Sequence, residues 1–263
     1  MQAPQTPADI AIDAALVRLE RDGAIARLTL NQPTKYNPLS APTIEALIAS
    51  LAILASDAQV RVIVLAAEGK AFSAGHDLNE MGAECSLDGF RALFTRCGEL
   101  MMAIQRQPQP VVARVQGVAT AAGCQLVAMC DLAVASENAR FAVSGINLGL
   151  FCATPAVALS RNIPRKQAME MLLTGEFIDA ATARERGLVN RVVPLAELDA
   201  EVGRLCASIV AKSPVAVAAG KQLYYRQLET GVEAAYGLAA EAMACNAIES
   251  DARRGIAAFT KRG

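Results

Sequence analysis

Residues 60–67 read VRVIVLAA, a continuous apolar run. A strand with one wet face alternates apolar and polar residues, so an unbroken run marks a strand buried on both faces. Such a strand needs helices over its sheet, and the rest of the chain supplies them. LVRLE (16–20) and AIARLTLN (24–31) flank Asp22-Gly23, the signature of a two-residue hairpin turn. After the loop QPTKYNPLS, Ser40 is placed to cap a helix whose Ile44, Leu47, Ile48, Leu51 and Leu54 recur at helical spacing. A second helix is expected within 87–106, then strands at 110–116 and 131–136. Alternation of this kind points to stacked α/β units. From about 195 four helical segments follow one another with no convincing strand between them. The division read from the sequence is a tail (1–15), an α/β core (16–194) and a helical region (195–263). The apolar surface of that last region is buried either between subunits or back on its own core.

With 25 basic and 26 acidic residues, the net charge of −1 gives no field directed at nucleic acid or an anionic membrane, which leaves a small-molecule ligand as the expected partner. No apolar run approaches the ~20 residues of a membrane span. The N-terminal segment lacks the basic and apolar regions of a signal peptide, and the expected location is cytoplasmic. Seven cysteines without a CxxC pair read as free thiols, and a single histidine argues against zinc, so no metal site is expected.

Two stretches carry chemistry. In KAFSAGHDL (70–78) and ATAAGCQL (119–126) an apolar strand ends in small residues and a glycine. In the second, the N–H groups around Ala122 fall at a helix start, where the first amide donors have no internal partner and the local partial charge is positive. If the fold joins the two turns, two N–H donors converge on one point, an arrangement suited to a developing oxyanion. Small side chains let a ligand approach the main chain.

These stretches, with ARFAVSGINLGL, LLTGEFIDAATARERGLVNRVVP and RRGIAAF, resemble in order the crotonase (enoyl-CoA hydratase/isomerase) superfamily from about residue 16 onward. The pairing of AGHDL with AAGCQL is similar to the subgroup typified by enoyl-CoA hydratase domain-containing protein 3. The resemblance implies a right-handed spiral of ββα units, a helical C-terminal trimerisation region, and a homotrimer or dimer of trimers. It implies an acyl-CoA ligand, with coenzyme A present only as part of the substrate and no tightly bound cofactor. The thioester oxygen would be held by the N–H groups of His76 and Ala122, with Ala121 and Gly145 also at the substrate. The adenine end would lie near Lys35, Tyr36, Ala74, Asp77 and Leu78, with Phe259 and Lys261 or Arg262 from a neighbouring subunit.

The chain departs from that pattern where hydratases carry two glutamates, since Gln125 and Gly145 occupy those positions. An amide has the shape of the acid but cannot take a proton from water, and glycine offers no side chain. Each general acid–base group typically contributes about 10²- to 10⁴-fold, so hydration is expected to be weak or altered. Restoring both glutamates is expected to raise it if the pocket is otherwise family-like. Ser144, Asn147, Cys152 and Thr154 are the side chains left in the acyl-facing segment; for each, loop capping or packing is the competing role. Cys124 and Cys152 lack a second histidine to activate a thiolate. The ring of His76 is a further candidate base. Decarboxylation of a malonyl-type CoA, which needs enolate stabilisation but no strong base, is an alternative, and a non-catalytic acyl-CoA-binding trimer is another.

Overall fold

The computed structural model describes residues 13–83 and 86–261. Most of the tail assigned to 1–15, together with Cys85 and Arg262, lies outside those residues. The hairpin forms from β1 (Val17–Asp22) and β2 (Ile25–Leu30). Asp22 pairs with Ile25, so its two turn residues are Gly23 and Ala24 rather than Asp22 and Gly23. Gly23 takes the left-handed conformation there, with φ 55°. Ser40 caps α1 (Ala41–Ala55), its hydroxyl accepting from the Thr43 N–H.

β3 (Val62–Ala67), β5 (Val111–Val115) and β7 (Leu132–Ser136) run parallel in one sheet of order β1-β2-β3-β5-β7-β10, closed by β10 (Arg191–Val193). Each is followed by a short strand of a second sheet, β4 (Ala71–Ser73), β6 (Val118–Thr120) and β8 (Arg140–Ala142), with β9 (Ile178–Asp179) at its end. Helices complete each turn: α2 (Leu78–Ala83) and α3 (Leu87–Arg106) after β4, α4 (Ala122–Met129) after β6, and α5 (Ala153–Leu159) and α6 (Arg165–Thr174) after β8. This is the α/β spiral of ββα units that the resemblance implies. It sets β4 beside β6 in parallel, with Ser73 opposite Ala119, so the turns that leave these strands start from the same edge.

The run 60–67 is apolar throughout because its two faces meet different cores. Ile63, Leu65 and Ala67 join the main cluster with α1, α3 and α4, whereas Val62, Val64 and Ala66 join Val112 and Val134 beneath α8 (Leu198–Val210). The helical region therefore divides, for α8 covers the back of the six-stranded sheet with Leu198, Val202 and Cys206. By contrast α9 (Pro214–Leu228), α10 (Val232–Ala247) and α11 (Ser250–Thr260) contain no buried residue. A short α7 (Ala180–Glu185) precedes β10. One polar strut ties α9 to the core: Lys221 Nζ lies 2.7 Å from Asp131 Oδ2, and Tyr225 donates to Asp131 Oδ1 at 2.8 Å. Among the described residues no single helix is long and apolar enough to cross a membrane.

Candidate active site

The turn after β4 is stitched to the loop before α1. The Ala74 N–H donates to the Tyr36 carbonyl at 2.9 Å, Ser73 Oγ donates to the Asn37 carbonyl at 2.8 Å, and the Leu39 N–H donates to the Gly75 carbonyl at 2.7 Å. Asn37 is the buried keystone of that loop. Its Oδ1 accepts from the Gln32 N–H, and its Nδ2 donates to the carbonyls of Glu68 and Ala71. Tyr36 and Asn37 both hold positive φ, 60° and 52°, conformations that persist only where surroundings over-determine them. No sequence periodicity reports such a residue.

The turn after β6 is strained as well. Ala121, at φ 49° and ψ −122°, is the N-cap of α4, and its own N–H is held by the Ala142 carbonyl at 3.0 Å. This conformation directs the next amide, that of Ala122, off the helix start. The two turns are in direct contact. A Cβ on Gly75 (φ 91°) would lie 2.9 Å from the Ala121 Cβ and 3.1 Å from the Ala122 nitrogen, and one on Gly123 would lie 2.4 Å from the Ser73 carbonyl oxygen. Glycine is required at both positions by close approach. Among the described residues no main-chain hydrogen bond outside the helices and strands is donated by the His76 N–H, and Ala122, as the first residue of α4, has no intrahelical partner for its own.

Both residues border a cavity of about 240 Å³. Of the residues expected at the site, Ala74, His76, Leu78, Ala121, Ala122, Ser144, Gly145, Cys152 and Thr154 line it. Ser144 shares a hydrogen bond with Thr120, Oγ to Oγ1 at 2.8 Å. The sequence reading missed Met81 and Phe94 on one side and Leu148, Leu150, Phe151 and Pro155 on the other. The signal for the second group was present: Leu148, Leu150 and Phe151 are large apolar residues crowded into one short segment, and the fold leaves them exposed.

Several expected residues lie elsewhere. Gln125 is buried but does not line the cavity; its Oε1 stands 4.0 Å from the Cys97 thiol on α3. Asn147 packs its amide toward Gly175. Lys35, Tyr36, Asp77, Phe259 and Lys261 are not in the lining, and Phe259 is 82% exposed on α11. At Gly145 the space for a side chain is already filled, because a Cβ there would lie 2.7 Å from both Cys152 Sγ and the Leu150 carbonyl oxygen. Restoring a glutamate thus needs backbone movement, not only a mutation. Cys152 accepts a hydrogen bond from the Gly145 amide, yet burial raises its pKa; burial also pushes Cys124 up to about 12. Both are thiols rather than thiolates at neutral pH. Among the described residues no group of three or more His, Cys, Asp or Glu side chains is placed to hold a metal.

The enoyl-CoA hydratase/isomerase family profile matches residues 20–263. The chain belongs to that family. Among curated relatives, enoyl-CoA hydratase domain-containing protein 3, mitochondrial, of Xenopus laevis is 45% identical over 94% of this chain and 84% of its own length. Crystal structures agree. An enoyl-CoA hydratase of Mycobacterium smegmatis superposes with a TM-score of 0.93 at 56% identity, covering 94% of this chain and 96% of that one. Human enoyl-CoA hydratase domain-containing protein 3 gives 0.91 at 43%, covering 94% and 98%. These matches carry the crotonase fold and the subgroup resemblance from expectation to finding, and the family implies an acyl-CoA substrate. They also overturn the cytoplasmic expectation: the relatives from Xenopus laevis, Rattus norvegicus and Homo sapiens are each named mitochondrial.

Proposed function

We propose that the cavity binds an acyl-CoA thioester, its carbonyl oxygen held between the N–H groups of His76 and Ala122. The observation that carries this reading is the contact of the two turns at Gly75 and Ala121–Ala122, with His76 and Ala122 at one cavity. Such donors stabilise charge that develops on the thioester oxygen. The acyl chain would rest against Phe94, Leu148, Leu150 and Phe151, and coenzyme A would run past Lys35 and Tyr36. Coenzyme A enters as part of the substrate, and no tightly bound cofactor is invoked. The apolar faces of α9–α11 support a homotrimer or dimer of trimers, in which Phe259 and Lys261 reach a neighbour's ligand.

Hydration in this site is slow or altered. Among the described residues no aspartate or glutamate lines the cavity, and an amide and a filled glycine stand where the family's two acids would be. Loss of enoyl absorbance with crotonyl-CoA tests this directly; turnover at the rate typical of a two-glutamate hydratase would refute it. The lack of carboxylates favours a second reading, an enolate-forming lyase on malonyl-type CoA esters. There the carboxylate's C–C bond breaks, CO₂ leaves, the electron pair passes to the enolate held by the two amides, and a solvent proton completes the product. Neutral hydroxyls of Ser144 and Thr154 suffice to orient the departing group. Mass detection of products from a panel of malonyl-type esters decides it, and no CO₂ loss across the panel would rule it out. Binding without turnover in either assay identifies a non-catalytic acyl-CoA-binding protein.

A further inference from the structure

His76 supplies more to this site than its backbone. Its Nδ1 lies 3.2 Å from the Leu39 carbonyl oxygen. Because that partner only accepts, Nδ1 carries the hydrogen in the neutral ring and Nε2 is left with its lone pair. Nε2 is buried and has no hydrogen-bond partner among the described residues. The ring packs edge-on against Phe94, with centroids 5.6 Å apart, and Phe94 stacks on Phe90 in turn. The Leu39 N–H meanwhile donates to the Gly75 carbonyl. Residues 39 and 75–76 are therefore clasped from both sides, one bond through the main chain and one through the imidazole, immediately beside the His76 amide that the proposed function aims at the thioester.

We propose that the His76 side chain is a positioning residue, a proton-sensitive clasp that holds the turn at 75–76 against the loop at 36–39 and so fixes the direction of the His76 N–H. A neutral ring fits this place. A protonated ring puts a second N–H at Nε2 among Phe94 and the cavity wall with nothing to accept it, and swinging out to water relieves that at the expense of the bond to Leu39. Burial, the largest influence, holds the ring's pKa below its ordinary value, against the opposing effects of the Leu39 bond and the field of Glu80. Around the ring, the charged or titratable groups among the described residues are Glu80 on α2, whose carboxylate accepts from the Ala41 N–H, Asp77, which caps the Asn79 N–H, and the Cys152 thiol across the cavity. The sign follows. The unfolded chain accepts a proton near pH 6.5 while the folded ring resists it, so the clasp is whole above that pH and weakens as pH falls toward the folded value.

The test compares His76→Asn, whose Nδ2 keeps a donor at the same position without titrating, with His76→Ala, which has none. Amide hydrogen exchange of residues 73–77 in the ligand-free protein is the first readout, and crotonyl-CoA affinity is the second. At about pH 7.5, where the ring is neutral, exchange in the Ala variant is expected about five- to tenfold faster than in the parent, the loss of one hydrogen bond, and the Asn variant to lie near the parent. On lowering the pH to about 5, the parent alone is expected to lose protection relative to the Asn variant, with affinity following. Equal protection in parent and Ala variant, or the same acid loss in parent and Asn variant, would overturn the clasp. The inference rests on the acyl-CoA reading only for its second readout: a parent that binds no crotonyl-CoA sinks that reading, while hydrogen exchange still decides the clasp.

Discussion

The two walls of the cavity are built by different means. One, residues 73–76 with 119–123, is chiefly main chain: it depends on backbone direction, on strained φ values at Ala121 and in the loop at 36–37, and on glycines that no side chain can replace. The other, residues 144–155, is side chain: Leu148, Leu150 and Phe151 present apolar surface that stays partly exposed. A wall made of backbone can hold one reacting group in one place. A wall made of exposed apolar side chains, such as Leu148, Leu150 and Phe151, gives apolar contact without fixing a single atom.

That contrast can be broken from either side. The largest effect is expected for Gly123→Ala, since the new Cβ would meet the Ser73 carbonyl oxygen at 2.4 Å and the Ser73 Cβ at 2.7 Å; overpacking against backbone costs about 3 kcal/mol, measured by urea unfolding. Next comes the attempt to restore an acid. Gly145→Glu, alone or with Gln125→Glu, is expected to lose about 1–3 kcal/mol and to gain no hydratase activity, because Leu150 and Cys152 already fill the space. An active, fully stable double variant would show that the side-chain wall yields more than its packing suggests. The smallest effect, and of opposite sign, is expected for Ala121→Gly. Relief of its positive φ is worth about 1 kcal/mol, offset by at least half through glycine's entropy, and a thermal midpoint raised by ~1–2 °C at most for a chain of this size checks it.

The same contrast explains what the sequence revealed. The small-residue turns were legible because close backbone approach excludes every larger residue, leaving glycine and alanine as a visible signature. β3 was legible because both its faces are covered, and α3 matched its expected range of 87–106 through its apolar spacing. Gln125 was placed by position in a motif, which fixes where a residue sits on a helix but not what its side chain meets; it meets Cys97. Gly145 was read as a missing side chain, whereas the fold shows the gap filled by Cys152, seven residues away. Asn37 left no trace at all. Its role is to satisfy three main-chain groups, and such partners become visible only in three dimensions. Nor did the apolar pattern of α8 distinguish a helix that covers the sheet from α9–α11, whose apolar residues stay at least partly exposed.

The account rests on the main-chain wall as the place where a thioester is held. Calorimetric titration of crotonyl-CoA into the parent and into Gly75→Ala tests it most directly, because a Cβ at that glycine would push between Ala121 and the Ala122 nitrogen while leaving the side-chain wall untouched. Saturable one-site binding to the parent, weakened about five- to tenfold in the variant, as for loss of one hydrogen bond, is the predicted result, with cooperative thermal unfolding retained in both. Equal affinity in the two proteins, or no binding to the parent, would contradict it.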